Sequence, residues 1–306
     1  MRIGIDIGGS HIAVGLINNE YELISKKDIS IKELQGKETI EQKIEKTIVK
    51  FIKELLTENN KKEENIELIG VGSPGTVKDG IIYNAVNLGL DGFDIKTAIL
   101  NHFNTKVFVQ NDCKCSGICE KELGNLKEYD DSIFLALGTG IGGAVFINNK
   151  MVIPKRYSGF EFGHMIISKE GNDCKCGNKG CFETYSSMKK FKNDIINIFD
   201  LEQNIHGKDI YEFIKENEEN IKMIEFLEEY ISNLSTGLAN IINIFEPEAI
   251  ALGGSFAYYE DILLERLEKN VKSKLFNNTC PKIVAAKYKN DAGLVGATML
   301  DKYQLL

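Results

Sequence analysis

Apolar residues alternate with small or polar ones on both sides of a glycine-rich turn near the start of the chain. In IGIDIGGSHIAVGLI, residues 3–17, this alternation predicts two strands joined by a tight Gly-Gly-Ser turn. The segment SIFLALGTGIGGAVFI, residues 132–147, repeats the pattern. The chain is therefore expected to contain two β-hairpins with glycine turns, one opening each half.

Helical spacing of apolar residues occupies the intervals between the predicted strands. Residues 39–59 carry such a stripe, and Thr39 and Gln42 form the T-x-x-Q pattern of a capping box. A longer helix is predicted to end near Pro247. Its expected apolar stripe consists of Ile221, Ile224, Leu227, Ile231, Leu234, Leu238, Ile241 and Phe245.

The repeated pattern predicts an α/β fold with two domains. EAIALGGS, residues 248–255, is expected to be a buried strand that runs into a third glycine turn and is followed by a helix from about Tyr258. No low-complexity linker marks a boundary, so the boundary is placed where the pattern repeats. A smaller domain is expected over residues 1–115 and a larger one over 116–291, with a last helix, about 292–306, packing back on the first domain.

The second hairpin contains G-x-G-x-x-G at Gly138, Gly140 and Gly143, a spacing shared with dinucleotide-binding turns. A dinucleotide-binding turn must open a helix, whereas the sequence after this turn, AVFINNKMVI, continues as a strand. The chain also lacks G-x-x-x-x-G-K-[ST], which excludes a P-loop. Exposed backbone N–H groups in the glycine turns can still approach phosphate oxygens closely.

Composition and charge exclude several classes of partner. The chain has 306 residues, 43% of them hydrophobic, and a formal net charge of -8. This size and composition support a buried core, and the acidic balance disfavours nucleic acid and anionic membranes as partners. Because no leader or membrane-spanning run is apparent, a cytoplasmic protein with reduced thiols is expected.

Three cysteines lie close together in the glycine-rich stretch CKCGNKGC, just after a histidine. Cys174, Cys176 and Cys181 can supply three thiolates, and His164 is the nearest suitable fourth ligand for a tetrahedral structural zinc site. The alternative, a disulfide, leaves an odd thiol and does not suit a reducing compartment. The other cysteines are predicted to be small buried residues: Cys113, Cys115, Cys119 and Cys280.

Taken together, these motifs resemble the ROK group of sugar kinases and sugar-responsive repressors, which belongs to the actin-like ATPase fold. The resemblance covers essentially the whole chain, through DIGGS, GVGSPGTV, QND, LGTGIGG, EFGH, CKCGNKGC with Glu183, and LGGS. It implies two α/β domains of ribonuclease H-like fold with a cleft between them, and ATP-dependent phosphorylation of a hexose in that cleft.

From its position alone, Asp112 is either a helix N-cap or a general base, because it ends the predicted strand KVFVQND just before a helix. The resemblance favours the base. It also implies that the sugar contacts Asn111, Asp112, Glu161, His164, Glu183, Gly75 and Asn87. Zinc is expected to orient His164 without taking part in the reaction.

The resemblance further implies ATP at the glycine turns, with Mg²⁺ held by Asp6 through water. The expected nucleotide and Mg²⁺ residues are Asp6, Gly8, Gly9, Ser10, Gly138, Thr139, Gly140, Gly142, Gly253 and Gly254. His11 stands where many relatives have lysine, and Lys114 where asparagine is usual. These departures leave the detailed phosphate contacts and the start of the helix after Asp112 open.

Two classes of function remain, a kinase and a sugar-sensing regulator. The family's repressors carry a DNA-binding segment ahead of the first hairpin, for which this sequence has no room, so a kinase is expected. Glucose, phosphorylated on its 6-hydroxyl, is the first choice of substrate, and N-acetylmannosamine or another hexose is the alternative. A homodimer is expected.

Overall fold

A computed structural model describes residues 1–155 and 159–303 of the chain. The chain separates into two compact units. The first takes in Met1–Lys127, Lys150–Gly159 and Asn290–Leu306, and the second takes in Glu128–Asn149 and Phe160–Lys289.

The first unit is built on a five-stranded sheet. Its five strands are β1 (Arg2–Ile7), β2 (His11–Ile17), β3 (Leu23–Ser30), β4 (Leu68–Ser73) and β8 (Lys106–Asn111). Between β4 and β8 the chain forms a separate three-stranded sheet, made of β5 (Thr76–Lys78), β6 (Ile81–Tyr83) and β7 (Phe93–Asp94). The main sheet has the order β3-β2-β1-β4-β8. Strand β1 is antiparallel to β2 and parallel to β4, and β4 is parallel to β8. The helices are α1 (Ile40–Glu58), α2 (Ile95–Leu100) and α3 (Asp112–Leu123).

A second five-stranded sheet repeats this strand order. Its strands are β9 (Ser132–Leu137), β10 (Ile141–Ile147), β11 (Lys150–Met151), β12 (Ala249–Gly254) and β13 (Lys282–Ala285), in the order β11-β10-β9-β12-β13. Strand β9 is antiparallel to β10 and parallel to β12, as β1 is to β2 and β4. The helices of this half are α4 (Glu183–Ser186), α5 (Met188–Ile198), α6 (Gly207–Glu216), α7 (Ile221–Phe245) and α8 (Glu260–Lys272).

The last helix, α9 (Ala292–Ala297), lies unusually close to the first sheet because glycines face it. Gly15, Gly4 and Gly70 form a row in register across β2, β1 and β4. A Cβ atom on Gly4 or Gly70 would overlap a backbone carbonyl oxygen of α9. Protein interiors are close-packed, so the absence of side chains here sets the distance between helix and sheet.

Several predicted elements are confirmed. Helix α1 has both hydrogen bonds of the predicted capping box, in which Thr39 and Gln42 exchange side-chain and backbone contacts. Helix α7 ends at Phe245, just before Pro247. It begins at Ile221, the first residue of the predicted apolar stripe, but that residue is exposed and Met223 is the first buried one. No helix in the described ranges is both long enough and apolar enough to cross a membrane.

The domain boundary predicted after residue 115 lies inside α3, while the compact units divide after Lys127; the domain assignment stays a prediction. The extents of two helices differ from those predicted. The last helix ends at Ala297 and is followed by a 3-10 turn over Leu300–Tyr303; the final residues of the predicted helix, 304–306, lie outside the described range. The helix expected from about Tyr258 begins at Glu260, after a 3-10 turn. Apolar spacing continues through each of these turns, so periodicity alone overestimates the helix.

Replacing Gly70 with alanine should destabilise the protein. The new methyl group would overlap the Ala297 carbonyl oxygen, and overpacking of this kind costs about 1–3 kcal/mol. We expect the loss to lie near the upper end, since both clashing groups belong to the backbone. Urea unfolding of the full chain measures it.

Gly72→Ala is the matched control, two residues further along the same strand. Its methyl group would lie in ordinary contact with the Cys115 Sγ atom, 3.4 Å away. Alanine has less backbone freedom than glycine in the unfolded chain. The free energy of unfolding of this variant should therefore stay the same or rise by about 0.4–1 kcal/mol. Equal destabilisation of the two variants would contradict the proposed role of the glycine row.

Candidate functional site

The junction of β8 and α3 holds the predicted base. Asn111 is the N-cap of α3, and its Oδ1 atom accepts hydrogen bonds from the N–H groups of Cys113 at 3.1 Å and Lys114 at 3.3 Å. Its Nδ2 atom donates to the Gly75 carbonyl oxygen at 3.1 Å. The N-cap alternative for Asp112 is therefore wrong, because Asp112 is the first helical residue. The cap and the Gly75 contact fix where α3 begins and hence where Asp112 lies.

Asp6 lies on β1 and Asp112 directly follows β8, and β4 lies between these two strands in the first sheet. Asp6 pairs in register with Gly72, and a Cβ on Gly72 would lie 3.5 Å from the Cα atom of Asp112. Burial and, after it, the negative charge of Asp112 raise the pKa of Asp6 to about 7, with Lys26 opposing the rise. Two carboxylates in this setting favour a bound cation.

A Cβ atom on Gly293, in the first turn of α9, would lie 2.9 Å from Asp6 Oδ2, so only glycine leaves room for this carboxylate. Two residues before Gly293, Asp291 accepts a hydrogen bond from Lys26 Nζ at 2.9 Å. Asp291 is thus a third carboxylate in the neighbourhood of Asp6, together with Lys26.

The turn between β1 and β2 contains Gly8, Gly9 and Ser10. The Gly8 N–H donates to the His11 carbonyl oxygen at 2.8 Å, which closes the turn. A Cβ on Gly9 would lie 3.8 Å from the Asn87 side chain, so a predicted nucleotide residue and a predicted sugar residue are neighbours. Gly75 has a φ of +84°, a conformation that favours glycine.

In the second unit, Gly138, Thr139 and Gly140 form the turn between β9 and β10, and the Gly138 N–H donates to the Gly140 carbonyl oxygen at 3.0 Å. No helix follows this turn, which confirms that it is not a dinucleotide-binding fingerprint. Strand β12 is parallel to β9 and ends beside it, with Gly254 paired to Leu137. The second and third glycine turns thus lie at the same edge of the sheet.

The three cysteines and the histidine of the predicted metal site converge. The ligand atoms of His164, Cys174, Cys176 and Cys181 all lie within 4.8 Å of one another. Cys176 Sγ is 3.6 Å from Cys181 Sγ, and Cys174 Sγ is 3.7 Å from His164 Nδ1. A tetrahedral zinc ion with Zn–S bonds of about 2.3 Å requires sulfur atoms about 3.8 Å apart. The cluster therefore has the ligand types and spacing of a Cys₃His metal site.

The thiols of this cluster differ in acidity. Two hydrogen bonds lower the pKa of Cys176 to about 7, the larger effect coming from the Asn178 backbone and the smaller from the Cys174 side chain. Burial raises the pKa of Cys181 to about 12. Cys181 therefore requires a nearby cation to become the thiolate that binds metal.

Two glutamates flank the cluster. Glu161 precedes the 3-10 turn Phe162–His164, and its carbonyl oxygen accepts the His164 N–H at 2.9 Å. Glu183 is the first residue of α4, and its Oε1 atom lies 3.5 Å from Cys174 Sγ. Its Oε2 atom would lie 2.5 Å from a Cβ placed on Gly140. The predicted sugar residue Glu183 thus contacts both the metal cluster and the predicted phosphate turn.

Sequence reasoning missed several neighbours of these residues. The burial of Cys115 and Cys119 was predicted, whereas Cys113 and Cys280 are only partly buried, contrary to the prediction. The proximity of Cys115 to Asp6 and Asp112 was missed; burial, and after it these two charges, raise the pKa of its thiol well above the ordinary value. The Lys26–Asp291 pair joins residues 265 positions apart, so no local pattern could have identified it.

The family model for the ROK family matches residues 2–304 of the chain. A glucokinase from Thermotoga maritima is 25% identical, with 99% of this chain and 98% of that protein covered. The xylose repressor of Bacillus subtilis is 29% identical, with 90% of this chain and 69% of the repressor covered. The chain is thus similar to both enzymes and regulators.

Among solved structures, a ROK family glucokinase from Streptomyces griseus, in complex with glucose and AMPPNP, superposes with a TM-score of 0.80. It is 26% identical, and 98% of each chain is covered. This match confirms the predicted α/β fold of the actin-like ATPase type.

Replacing Asp6 with asparagine should change how stability depends on pH. The carboxyl has a pKa of about 7 when folded, against about 3.8 in its ordinary state. The folded state therefore binds more protons between these values, and the stability due to Asp6 falls as pH rises from about 4 to 7. Asn cannot titrate, so Asp6→Asn should gain stability relative to the parent over this range.

Each pKa unit corresponds to about 1.4 kcal/mol, and residual solvent access reduces the effect, so we expect a relative gain of about 1–2 kcal/mol between pH 5 and pH 8. Urea unfolding at both pH values, without added divalent cations, measures it. The same pH dependence in parent and variant would show that Asp6 is ionised normally in the folded protein.

Proposed function

The chain belongs to the ROK family, and we propose that it is an ATP-dependent hexose kinase. It would transfer the γ-phosphoryl group of ATP to a sugar hydroxyl, with the 6-hydroxyl of glucose as the first choice. The observation that carries the proposal is the junction at Asn111 and Asp112, where one side chain caps the helix and the other is held beside a second carboxylate.

Asp112 is the proposed general base, which takes the proton of the attacking hydroxyl. Phosphoryl transfer needs such a group together with positive or dipolar groups around the phosphates. Asn111 is the N-cap of α3, and Asp112 Oδ1 accepts the Cys113 N–H at 2.8 Å, so both side chains fix the position of Asp112 at the start of the helix. Asn111 has one amide N–H beyond the donor used by Gly75, and this N–H is the proposed sugar contact.

The glycine turns are the proposed phosphate-binding elements, since their backbone N–H groups are not shielded by side chains. They comprise Gly8, Gly9 and Ser10 in the first unit and Gly138, Thr139, Gly140, Gly142, Gly253 and Gly254 in the second. Oxygen ligands suit Mg²⁺, and Asp6 would hold it, through water. A bound Mg²⁺ neutralises phosphate charge and would relieve the repulsion between Asp6 and Asp112.

The sugar would be held by Glu161, His164 and Glu183, and by Gly75 and Asn87 from the loops that follow β4 and β6. His164 presents Nδ1 to the cysteine cluster, which leaves Nε2 as the nitrogen that can donate to a sugar hydroxyl. Zinc is the proposed metal because three cysteines and one histidine form one of its usual structural ligand sets. It would fix the orientation of the ring.

A sugar-sensing regulator is the second candidate, because the xylose repressor is as similar in sequence as the kinases are. Both candidates would bind sugar through the same residues. Only the kinase requires a base at Asp112 and productive ATP binding. The homodimer and the cytoplasmic location remain predictions.

Asp112→Asn should retain sugar and nucleotide binding and lose most turnover. The amide keeps the shape of the carboxylate but cannot accept the proton, and general-base contributions are roughly 10²–10⁴-fold. Steady-state kinetics give the change in kcat, and calorimetry checks that glucose and ADP still bind.

Asp28→Asn on the exposed face of β3 is the matched control and should leave kcat unchanged. If Asp112→Asn kept kcat within a few-fold of the parent, Asp112 would not be the base.

A further inference from the structure

A short stretch of chain connects the cysteine cluster to the glycine turn at residues 138–140. It begins at the predicted metal ligand Cys181, includes all of α4, and ends in the first turn of α5 at Lys189. Its start is closed by a hydrogen bond of 2.7 Å from Thr184 Oγ1 to the Cys181 carbonyl oxygen. The stretch is nine residues long, with a predicted metal ligand at one end and a residue that contacts the turn at the other.

Both ends of the glycine turn are in contact with this stretch. The Lys189 N–H donates to the Gly138 carbonyl oxygen at 3.0 Å. At the other end, Glu183 Oε2 occupies the space that a Cβ on Gly140 would need, at 2.5 Å. The same oxygen would lie 3.1 Å from a Cβ on Gly163, the residue before His164. A side chain at position 140 would therefore displace Glu183.

The second oxygen of Glu183 faces the cysteine cluster, 3.5 Å from Cys174 Sγ. One carboxylate therefore touches the metal cluster with Oε1 and the glycine turn with Oε2. The chain around it has little freedom, because Phe182 and Ser186 on either side are fully buried. Contacts therefore run without interruption from Cys174 through Glu183 to Gly140.

We propose that Glu183 is a positioning residue that couples the metal cluster to the glycine turn, so that metal and nucleotide strengthen each other's binding. The proposal rests on the proposed function in taking ATP as the ligand of this turn. It differs from a purely sugar-directed role for the metal, in which nucleotide affinity would not depend on the cluster. Coupling between two sites typically amounts to about 5–150-fold in affinity and is equal in both directions.

The first test measures ADP·Mg²⁺ binding to the full chain by calorimetry, without sugar. The parent is loaded with zinc and its content is checked by elemental analysis. Glu183→Asp keeps the charge and shortens the side chain by one methylene, so it should raise the Kd for ADP by about 5-fold or more. Cys176→Ser should lose zinc and should also raise the Kd for ADP. Glu170→Asp, at an exposed position of the same loop, is the matched control and should leave the Kd unchanged.

The second test uses reciprocity, which a merely structural metal would not show. A chromophoric chelator competes for zinc with and without saturating ADP·Mg²⁺. In the parent, ADP should tighten zinc binding by the same factor by which zinc tightens ADP, and in Glu183→Asp this factor should fall towards one. Circular dichroism checks that both variants are folded. If Cys176→Ser is unfolded, the test is made with Glu183→Asp alone.

Equal ADP affinity in the zinc-loaded parent and in folded Glu183→Asp would overturn the coupling and leave the kinase proposal standing. Failure of the parent to take up zinc would also overturn it. A zinc-loaded parent that binds no ADP at all would overturn both the coupling and the proposed function.

Discussion

The short distance between α9 and the first sheet is the constraint on which the proposed catalytic site at Asp6 and Asp112 depends. It exists because Gly15, Gly4 and Gly70 leave a row without side chains across three strands. The helix can then bring Gly293 against Asp6, while Gly296 packs equally closely on the Cys115 backbone of α3. Asp6 and Asp112 are consequently held in a crowded environment, which raises the pKa of Asp6. The proposed cation-binding pair of carboxylates therefore depends on backbone packing.

The candidate residues of the second unit are positioned in a different way. Gly138 and Gly140 are contacted by a stretch that starts at the predicted metal ligand Cys181, so the cysteine cluster and the glycine turn belong to one local structure. Glu183 lies between them, with one oxygen on each side. The same strand order in both sheets explains why glycine turns recur at corresponding places, after β1 and after β9. The loop that carries Cys174, Cys176 and Cys181 distinguishes the second unit from the first.

Local signals in the sequence were sufficient for much of this description. The two glycine hairpins, the capping box of α1 and the cysteine cluster depend on residues close together in the chain, and all three are present. The N-cap of α3 was not resolved, because Asn111 and Asp112 are both good caps. In the structure Asn111 is the N-cap and accepts the N–H groups of Cys113 and Lys114, while Asp112 is the first helical residue and also accepts the Cys113 N–H. The Lys26–Asp291 pair and the contact of Glu183 with Gly140 are long-range, and no periodicity encodes them. The extent of the last helix was overestimated because its apolar spacing continues into a 3-10 turn.

Sugar-dependent ADP release tests the central claim most directly. Purified full-length chain with ATP and Mg²⁺ would be assayed over a panel of hexoses that includes glucose, mannose, fructose and N-acetylmannosamine, with the sugar phosphate measured alongside ADP. A kinase should release ADP only when its sugar is present and should form one sugar phosphate for each ADP. Binding of a sugar by calorimetry, with no increase in ADP release above that in water for any member of the panel, would contradict the account and favour a sugar-sensing regulator.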